Sequence, residues 1–470
     1  MPDLPAYQKV APQTIDFILS VSGKDHVLYD REALSMYAHD ETEDLSFFPE
    51  VVVKPRTAKE ISEILSYCNS NRIPVTPRGA GTGLSGGALP IFGGVLISME
   101  RFNSIIEIDE RNLQATVEPG VITQVFQEAV MEKGLFYPPD PASRGSCFLG
   151  GNLAECAGGP RAVKYGVTKD YVLNTEVVLP GGEIIWTGAN VLKNSTGYNI
   201  TQLIIGSEGT LGIITRIVFR LLPYPRHNLL MLVPFFSAEK ACEAVPAVFR
   251  AGIIPSAMEF MERDAIEWVS RYVETNLPVK DGVQAHLLIE VDGNDPDVLM
   301  KECEKIAEVM GQFECDEILF ADTPEQKNKL WKMRRAVGEA VKSHSVYKEE
   351  DTVVPRAELP RLLKGVKEIG KKYGFSSVCY GHAGDGNLHV NIIRGEMSEE
   401  AWQNKIPSGI REIFKLCISL GGTISGEHGI GLVQKPYMDI PFNEVQINLQ
   451  KGIKTLFDPN HILNPGKIFA

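Results

Sequence analysis

Three glycine-rich segments constrain what this 470-residue chain can fold into. They lie at 78–87, 150–159 and 206–215, and each carries apolar residues among its glycines. A flexible linker would instead be polar. Because glycine lets the backbone approach a ligand closely, the segments predict backbone that lies against a large flat ligand.

The first glycine segment follows a predicted βαβ unit. Strands are expected at 51–53 and 74–77, and the helix between them begins with a capping box of Thr57 and Glu60. The sequence 81–86 matches the dinucleotide fingerprint, but no helical pattern follows, as a Rossmann loop would require. Successive glycine amides can bind an anion without a helix. We therefore predict a pyrophosphate-binding loop outside a Rossmann fold, with an ordinary turn as the alternative.

Charge and cysteine usage exclude several classes of protein. The net charge of −13 argues against nucleic-acid binding, which needs clustered Lys and Arg. The eight cysteines are scattered, without the spacing of a disulfide framework, a zinc ribbon or an iron–sulfur cluster. The chain shows neither a secretion signal nor a transmembrane run, which predicts a cytoplasmic protein. Peripheral docking at a membrane through an electron-acceptor partner stays open.

Two histidines lie on a predicted β-hairpin, one on each side of its turn. The Asp385-Gly386 dipeptide between apolar flanks is a strong hairpin signal. A two-residue turn there would place His382 directly opposite His389, with Asn391 on the same face. A longer turn would shift this pairing. Two imidazoles on one rigid hairpin suit a divalent metal.

A second motif supplies a carboxylate beside an imidazole. Glu427 and His428 are adjacent and lie between glycines, which let the backbone aim both side chains inward. His382, His389 and Glu427 would form a His₂Glu metal set that leaves coordination positions open. Zinc fits this set best, and iron and manganese stay open. The alternative for each histidine is a hydrogen-bonded core residue.

These motifs carry a family resemblance. PRGAGTGLSGG, GGNLAECAGGPRAVKYG and GSEGTLGIIT resemble the FAD-binding domain of the vanillyl-alcohol oxidase, or PCMH-type, superfamily. The tail Asn464-Pro465-Gly466-Lys467 and the histidine motifs narrow the resemblance to the FAD-linked D-2-hydroxy acid dehydrogenases. That branch includes the glycolate oxidase flavin subunit, D-lactate dehydrogenase and D-2-hydroxyglutarate dehydrogenase.

The resemblance implies an α+β fold in four parts. They are a lead-in (1–45), a PCMH-type FAD-binding domain (46–225), an α/β substrate (cap) domain with an antiparallel sheet (226–415), and a C-terminal helical segment that returns to the FAD domain (416–470). In the second half, we expect strands at 229–234 and 284–291, and helices at 238–251, 298–311, 324–342, 358–373 and 443–457.

The resemblance also implies the site residues. The base is His428, and Arg334, Lys348 and Asn391 bind the substrate. The implied flavin-binding residues are Pro77, Arg78, Gly79, Ala80, Gly81, Thr82, Gly83, Leu84, Ser85, Pro141, Ser143, Gly151, Asn152, Gly158, Gly159, Tyr165, Gly166, Glu208, Gly212, Ile213 and Asn464. Covalent members attach FAD through a loop His or a nearby Cys. The loop here has no His, so non-covalent FAD is expected, although Cys147 and Cys156 lie near the flavin segments.

The implied reaction is oxidation of a small D-2-hydroxy acid to the 2-oxo acid, with hydride transfer to flavin. Glycolate or D-lactate is favoured, because Glu349 and Glu350 offset the charge of Lys348 that a second substrate carboxylate would need. Electrons would pass to a quinone, a cytochrome, an electron-transfer flavoprotein or an iron–sulfur subunit. A D-2-hydroxyglutarate dehydrogenase, an oxidase that uses oxygen and a non-catalytic electron-transfer subunit remain alternatives. A homodimer is compatible with the sequence.

Overall fold

The computed structural model describes residues 6–42, 45–273 and 280–469, and it divides into two compact units. Unit 1 comprises Met1–Ala157, Val167–Tyr224 and Glu427–Ala470, and unit 2 comprises Gly158–Gly166 and Pro225–Gly426. This division differs from the predicted domains in three places. Residues 1–45 are part of unit 1, residues 158–166 belong to unit 2, and the chain re-enters unit 1 at 427 instead of 416.

The helices and strands are numbered in chain order. The strands are β1 (Val27–Leu28), β2 (Val51–Val53), β3 (Val75–Arg78), β4 (Val95–Ser98), β5 (Ile105–Asp109), β6 (Gln114–Val117), β7 (Leu135–Phe136), β8 (Val172–Val178), β9 (Ile184–Trp186), β10 (Ile213–Arg220), β11 (Leu222–Pro223), β12 (His227–Phe235), β13 (Ala257–Glu262), β14 (Ala285–Gly293), β15 (Leu319–Ala321), β16 (Tyr347–Val353), β17 (Ser376–Gly381) and β18 (Asn387–Ile393). The α-helices are α1 (Pro12–Ser22), α2 (Arg31–Ser35), α3 (Ala58–Asn71), α4 (Thr123–Met131), α5 (Leu149–Glu155), α6 (Ala162–Tyr165), α7 (Ile200–Ile204), α8 (Ala238–Arg250), α9 (Arg263–Tyr272), α10 (Pro296–Met310), α11 (Pro324–Arg335), α12 (Val337–His344), α13 (Leu359–Tyr373), α14 (Glu399–Ser419) and α15 (Glu444–Phe457).

The predicted βαβ unit forms in unit 1. Strands β2 and β3 are both parallel to β4, which lies between them in the order β1-β2-β4-β3. Helix α3 begins after Thr57, whose hydroxyl accepts the Glu60 N–H at 3.2 Å. The Glu60 carboxylate accepts the Arg56 N–H, so the capping box forms only in part. The apolar side of α3 packs on β2 and β4, and Ile462 and Leu463 join the same core.

The rest of unit 1 contains a second sheet, a strand pair and the first glycine segment. A five-stranded antiparallel sheet has the order β5-β6-β10-β8-β9, and β7 pairs with β11. Between β3 and β4 the chain makes turns and no helix, although every residue there is described. The sequence predicted that no helix follows the loop, and the structure shows none between β3 and β4.

Unit 2 is built on one antiparallel sheet of seven strands, in the order β15-β12-β14-β13-β17-β18-β16. Helices α9, α11 and α12 pack on the face that carries Met261 and Tyr380. Helices α8, α10 and α13 also pack against the sheet. The central strands β13 and β14 are buried almost throughout. Rigid neighbouring strands therefore position the side chains of this sheet.

Several elements of unit 2 differ from the sequence prediction. The expected helix 324–342 is two helices, α11 and α12, separated at Ala336. The long helix α14 was not predicted, and it contains Pro407 in its interior. Strands β13 and β16 were not predicted either. Among the described residues, no helix is both long and apolar enough to cross a membrane.

Candidate active site

The glycine loop of unit 1 begins with the buried cationic side chain of Arg78. Arg78 ends β3, is 8% exposed, and lies so close to Gly81 that a side chain there would collide with its guanidinium. Among the described residues, Arg78 Nη1 has no hydrogen-bond partner. A Cβ at Gly83 or Gly151 would meet no atom within 4 Å. An unsatisfied buried cation beside open glycine backbone fits the pyrophosphate of a dinucleotide.

Two residues predicted to bind flavin also hold the C-terminal segment in place. The carboxylate of Glu208 accepts hydrogen bonds from the N–H groups of Ile430 and Gly431, each at 2.7 Å. Burial raises the pKa of Glu208 to about 7 despite these bonds. The amide of Asn464 donates to the carbonyl oxygens of Gly87 at 2.9 Å and Glu208 at 2.8 Å. Both side chains therefore connect residues 427–470 to the glycine segments.

Other predicted flavin residues of unit 1 also have structural roles. Asn152 is buried and donates to the Thr123 hydroxyl at 2.6 Å. Gly212 packs on β8, where a Cβ would collide with Val177 Cγ1. The other predicted flavin residues in unit 1 are Pro77, Gly79, Ala80, Thr82, Leu84, Ser85, Pro141, Ser143 and Ile213. Of these, Ser85 is buried, and its Oγ has no partner among the described residues.

The segment 158–166 belongs to unit 2, although its residues Gly158, Gly159, Tyr165 and Gly166 were predicted in the FAD domain. The Tyr165 hydroxyl lies 2.9 Å from both oxygens of Asp292 in β14. Lys164 Nζ donates to the same carboxylate at 2.6 Å. These four residues therefore group with unit 2, and their role in flavin binding stays a prediction.

The histidine hairpin forms with a longer turn than predicted. Tyr380 pairs with His389, so the register is shifted by two residues and His382 lies beyond the end of β17. The predicted direct pairing of His382 with His389 is therefore wrong. A shift of two keeps the same face, because side chains alternate with a period of two. The imidazole centroids of His382 and His389 are 5.5 Å apart.

We call this side of the sheet the histidine face, defined by Met261, Tyr380, His389 and Asn391. Asn391 is fully buried there, and its Oδ1 has no partner among the described residues. His389 Nδ1 lies 3.2 Å from Glu349 Oε1, on the neighbouring strand β16. The histidine face of unit 2 therefore combines two imidazoles with an amide and a carboxylate.

A buried carboxylate on this face joins His382 to Arg334. Glu259 in β13 is 0% exposed, and its oxygens lie 2.9 Å and 2.8 Å from His382 Nδ1. Its Oε2 forms an ion pair with Arg334 Nη2 at 2.7 Å. Burial acts to raise the pKa of Glu259, but the opposing charges of His382 and Arg334 prevail and lower it. Nothing in the sequence pattern distinguished Glu259 from Glu262, the other glutamate of the same strand.

Arg334 is positioned at the end of α11, with 6% exposure and its guanidinium 5.2 Å from the centre of the Tyr380 ring. Its Nε atom has no hydrogen-bond partner in the part of the chain that the structure describes. This burial shows that Arg334 does not belong to a solvated helix face. A buried cation with an unsatisfied donor can bind a substrate carboxylate.

The structure separates Lys348 from the histidine face. Lys348 pairs with Ile392, whereas Glu349 pairs with Asn391, so Lys348 lies on the opposite face of the sheet. Its side chain is exposed. The prediction that Lys348 binds substrate beside Asn391 is therefore wrong.

Asp351 fixes the end of unit 2 that leads to Glu427. Its carboxylate accepts the Ser425 hydroxyl at 2.9 Å, the Gly426 N–H at 2.8 Å and the Asn387 amide at 2.7 Å. Glu427 is the next residue along the chain. The sequence motif around 425–431 indicated two candidate side chains but gave no sign of this buried anchor.

Glu427 and His428 begin the last segment of unit 1. Their side chains are partly exposed, at 17% and 20%, and Glu427 Oε1 lies 4.0 Å from His428 Nε2. Partial exposure is compatible with contact to a ligand.

The fold and the loop chemistry are those of an FAD-binding protein of the PCMH type. The fold resembles that of p-cresol methylhydroxylase, with a TM-score of 0.78 at 18% identity, covering 97% of this chain and 96% of that one. Likeness at this identity concerns the fold. The predicted fold class is confirmed.

The chain belongs to the FAD-linked oxidase family. Residues 49–188 match the FAD binding domain, and residues 224–468 match the C-terminal domain of FAD linked oxidases. The predictions of the family, of FAD as cofactor and of an oxidoreductase are confirmed.

Curated relatives match over nearly their whole length. Glycolate oxidase subunit GlcD of Bacillus subtilis (strain 168) is 39% identical, with 96% of each chain covered. D-lactate dehydrogenase of Anaerostipes hadrus is 38% identical, with 98% of each covered. D-2-hydroxyglutarate dehydrogenase of Stutzerimonas stutzeri (strain A1501) is 31% identical, with 98% of this chain and 99% of the relative covered.

Proposed function

We propose that the protein oxidises a small D-2-hydroxy acid, glycolate or D-lactate, to the 2-oxo acid and passes the electrons to a separate acceptor. The observation that carries this proposal is the arrangement of His382, His389 and Arg334 on or beside the histidine face. The names of the relatives support the substrate class.

Arg334 and Asn391 would bind the substrate. The unsatisfied Nε of Arg334 offers a charged donor to the carboxylate, and Asn391 presents an amide on the same side of the sheet. Lys348 faces away from Asn391, which removes one candidate clamp for a second carboxylate. This arrangement favours monocarboxylates over D-2-hydroxyglutarate.

His382, His389 and Glu427 would hold one divalent metal ion, with zinc the best match to two imidazoles and a carboxylate. The Nδ1 atoms of both histidines lie near carboxylates, which leaves Nε2 as the ligand atom. When bound, the metal supplies a Lewis acid that lowers the pKa of the substrate hydroxyl. Asp351 holds Gly426 and thereby positions the residue that follows it.

His428 would accept the hydroxyl proton as the C2 hydrogen leaves with its electron pair. When bound, FAD supplies the acceptor for that hydride. The products are the 2-oxo acid, reduced flavin and a proton on His428, so charge and electrons balance. The reduced cofactor must then be reoxidised by a quinone, a cytochrome, an electron-transfer flavoprotein or an iron–sulfur subunit.

Anaerobic flavin reduction tests the proposal. We expect glycolate and D-lactate to bleach the flavin absorbance, L-lactate to leave it unchanged, and His428→Asn to slow bleaching at least ~100-fold. A protein that no hydroxy acid reduces would be an electron-transfer component instead. A specificity constant for D-2-hydroxyglutarate ten times that for the smaller acids would reject the substrate assignment. Rapid reoxidation by air would identify an oxidase.

A further inference from the structure

Glu259 is a charged residue on β13, a central strand of the sheet, and all residues of this strand are buried. It lies two residues before Met261, which pairs with Tyr380, so its side chain points to the histidine face. Burying a carboxylate costs folding free energy unless a partner of opposite charge or a hydrogen-bond donor compensates for the lost water. Its partners, His382 and Arg334, are residues with different proposed roles.

The geometry constrains both partners. When an imidazole gives its Nδ1–H to a carboxylate, its Nε2 lone pair is directed to the opposite side of the ring. Carboxylates bound to a ligating histidine fix the orientation of the ring and increase its basicity. The ion pair at 2.7 Å also holds the guanidinium of Arg334 beside the same carboxylate.

We propose that Glu259 is the positioning residue that presents His382 Nε2 to the metal and fixes Arg334 for the substrate carboxylate. This proposal rests on the function proposed above. One buried side chain would then link metal binding to substrate binding.

A purely structural role predicts something different. Glu259 would then only fasten α11 to the sheet, and any similar anchor would behave alike. Glu290 is such an anchor: it is 3% exposed, lies on the histidine face in β14, and accepts the Trp331 Nε1–H of the same helix at 2.9 Å. Its carboxylate also accepts hydrogen bonds from Asn228 and Ser256 and from neither histidine of the hairpin, so Glu290→Gln is a matched control.

The test is zinc affinity, measured by competition with a chromogenic chelator. We expect Glu259→Gln to weaken zinc binding roughly 10–100-fold, as for other carboxylates behind a ligating histidine. Glu290→Gln should stay within about twofold of the wild type on the same basis. With zinc at saturation, Glu259→Gln should still raise KM for D-lactate, because Arg334 loses its partner. The flavin spectrum should persist in both variants.

Glu259→Asp serves as the conservative variant, because it keeps the charge but withdraws it by one methylene. Its zinc affinity should fall between those of the wild type and Glu259→Gln. Equal weakening in Glu259→Gln and Glu290→Gln, or unchanged affinity in Glu259→Gln, would overturn the proposal. If His382→Ala binds as much zinc as the wild type, the metal set itself is wrong and the role of Glu259 is rejected with it.

Discussion

Individual buried polar residues determine much of the behaviour expected of unit 2. The clearest case outside the candidate site is His286 in β14, which is 2% exposed and whose Nδ1 has no partner among the described residues. Burial lowers the pKa of His286 to about 4. The imidazole is therefore neutral in the folded protein at pH 6, where an unfolded chain binds part of a proton.

This difference predicts acid sensitivity. Between the ordinary pKa of 6.5 and the folded value of about 4, the unfolded chain binds more protons, so stability falls as pH decreases. The lowered pKa of His286 should reduce the free energy of unfolding by about 2–3 kcal/mol at pH 4.5 relative to pH 7.5, at 1.36 kcal/mol for each pKa unit.

His286→Leu should make the midpoint of thermal unfolding less dependent on pH across this window. The control is His227→Leu, in the exposed first position of the neighbouring strand β12, which should leave the pH dependence unchanged. The same acid-induced loss in all three proteins would show that His286 is not responsible.

At the scale of elements, the sequence correctly predicted the features that depend on local rules. The capped helix α3, the parallel strands around it and the helix-free glycine loop all follow from period, capping and turn chemistry. The hairpin was predicted with the correct face and the wrong register, because the length of a turn depends on contacts outside it. Glu259 could not be predicted, since its partners come from the loop after β17 and from α11.

The same reasoning explains the missed elements. Helix α14 contains Pro407, a residue that argues against a helix when sequence alone is considered. Strand β16 carries acidic residues that strands usually avoid; here Asp351 is satisfied by Ser425, Gly426 and Asn387. Tertiary contacts override local preference at both places.

The turn before β18 gives an element-scale prediction. Gly386 has φ +89°, and a Cβ there would collide with the Val354 carbonyl oxygen. Gly395, after the same strand, has φ +53°, and a Cβ at that position would meet no atom within 4 Å. Gly395→Ala should lower the free energy of unfolding by about 1–2 kcal/mol, because alanine disfavours the left-handed backbone.

Gly386→Ala should cost clearly more, because the loop must also move away from Val354. Since His382 begins this loop, the variant should lose zinc affinity as well. Thermal unfolding and zinc titration of the two variants would check this. Equal destabilisation would mean that the loop relaxes without consequence, and the turn would not be fixing the histidines.

At the scale of the whole molecule, the two cofactors are expected to depend on different side chains. Arg78 and the glycine loop are in unit 1, whereas His382 and His389 are in unit 2. Flavin content and zinc content should therefore respond to different substitutions.

Gly83→Val places a side chain where the protein itself leaves open space, so the fold should persist while the flavin is excluded. His382→Ala should lose zinc and keep the flavin. Gly452→Val, at another position with no neighbouring atom within 4 Å, is the control for adding a valine and should retain both. Elemental analysis gives the zinc content, and acid precipitation gives the flavin content.

Acid precipitation also tests the mode of attachment. The glycine loop carries no histidine, so the wild type should release its flavin into the supernatant. Yellow colour that stays with the pellet would establish a covalent link. If Gly83→Val keeps a full complement of flavin, or if His382→Ala loses both groups together, the two cofactors do not depend on separate side chains as argued.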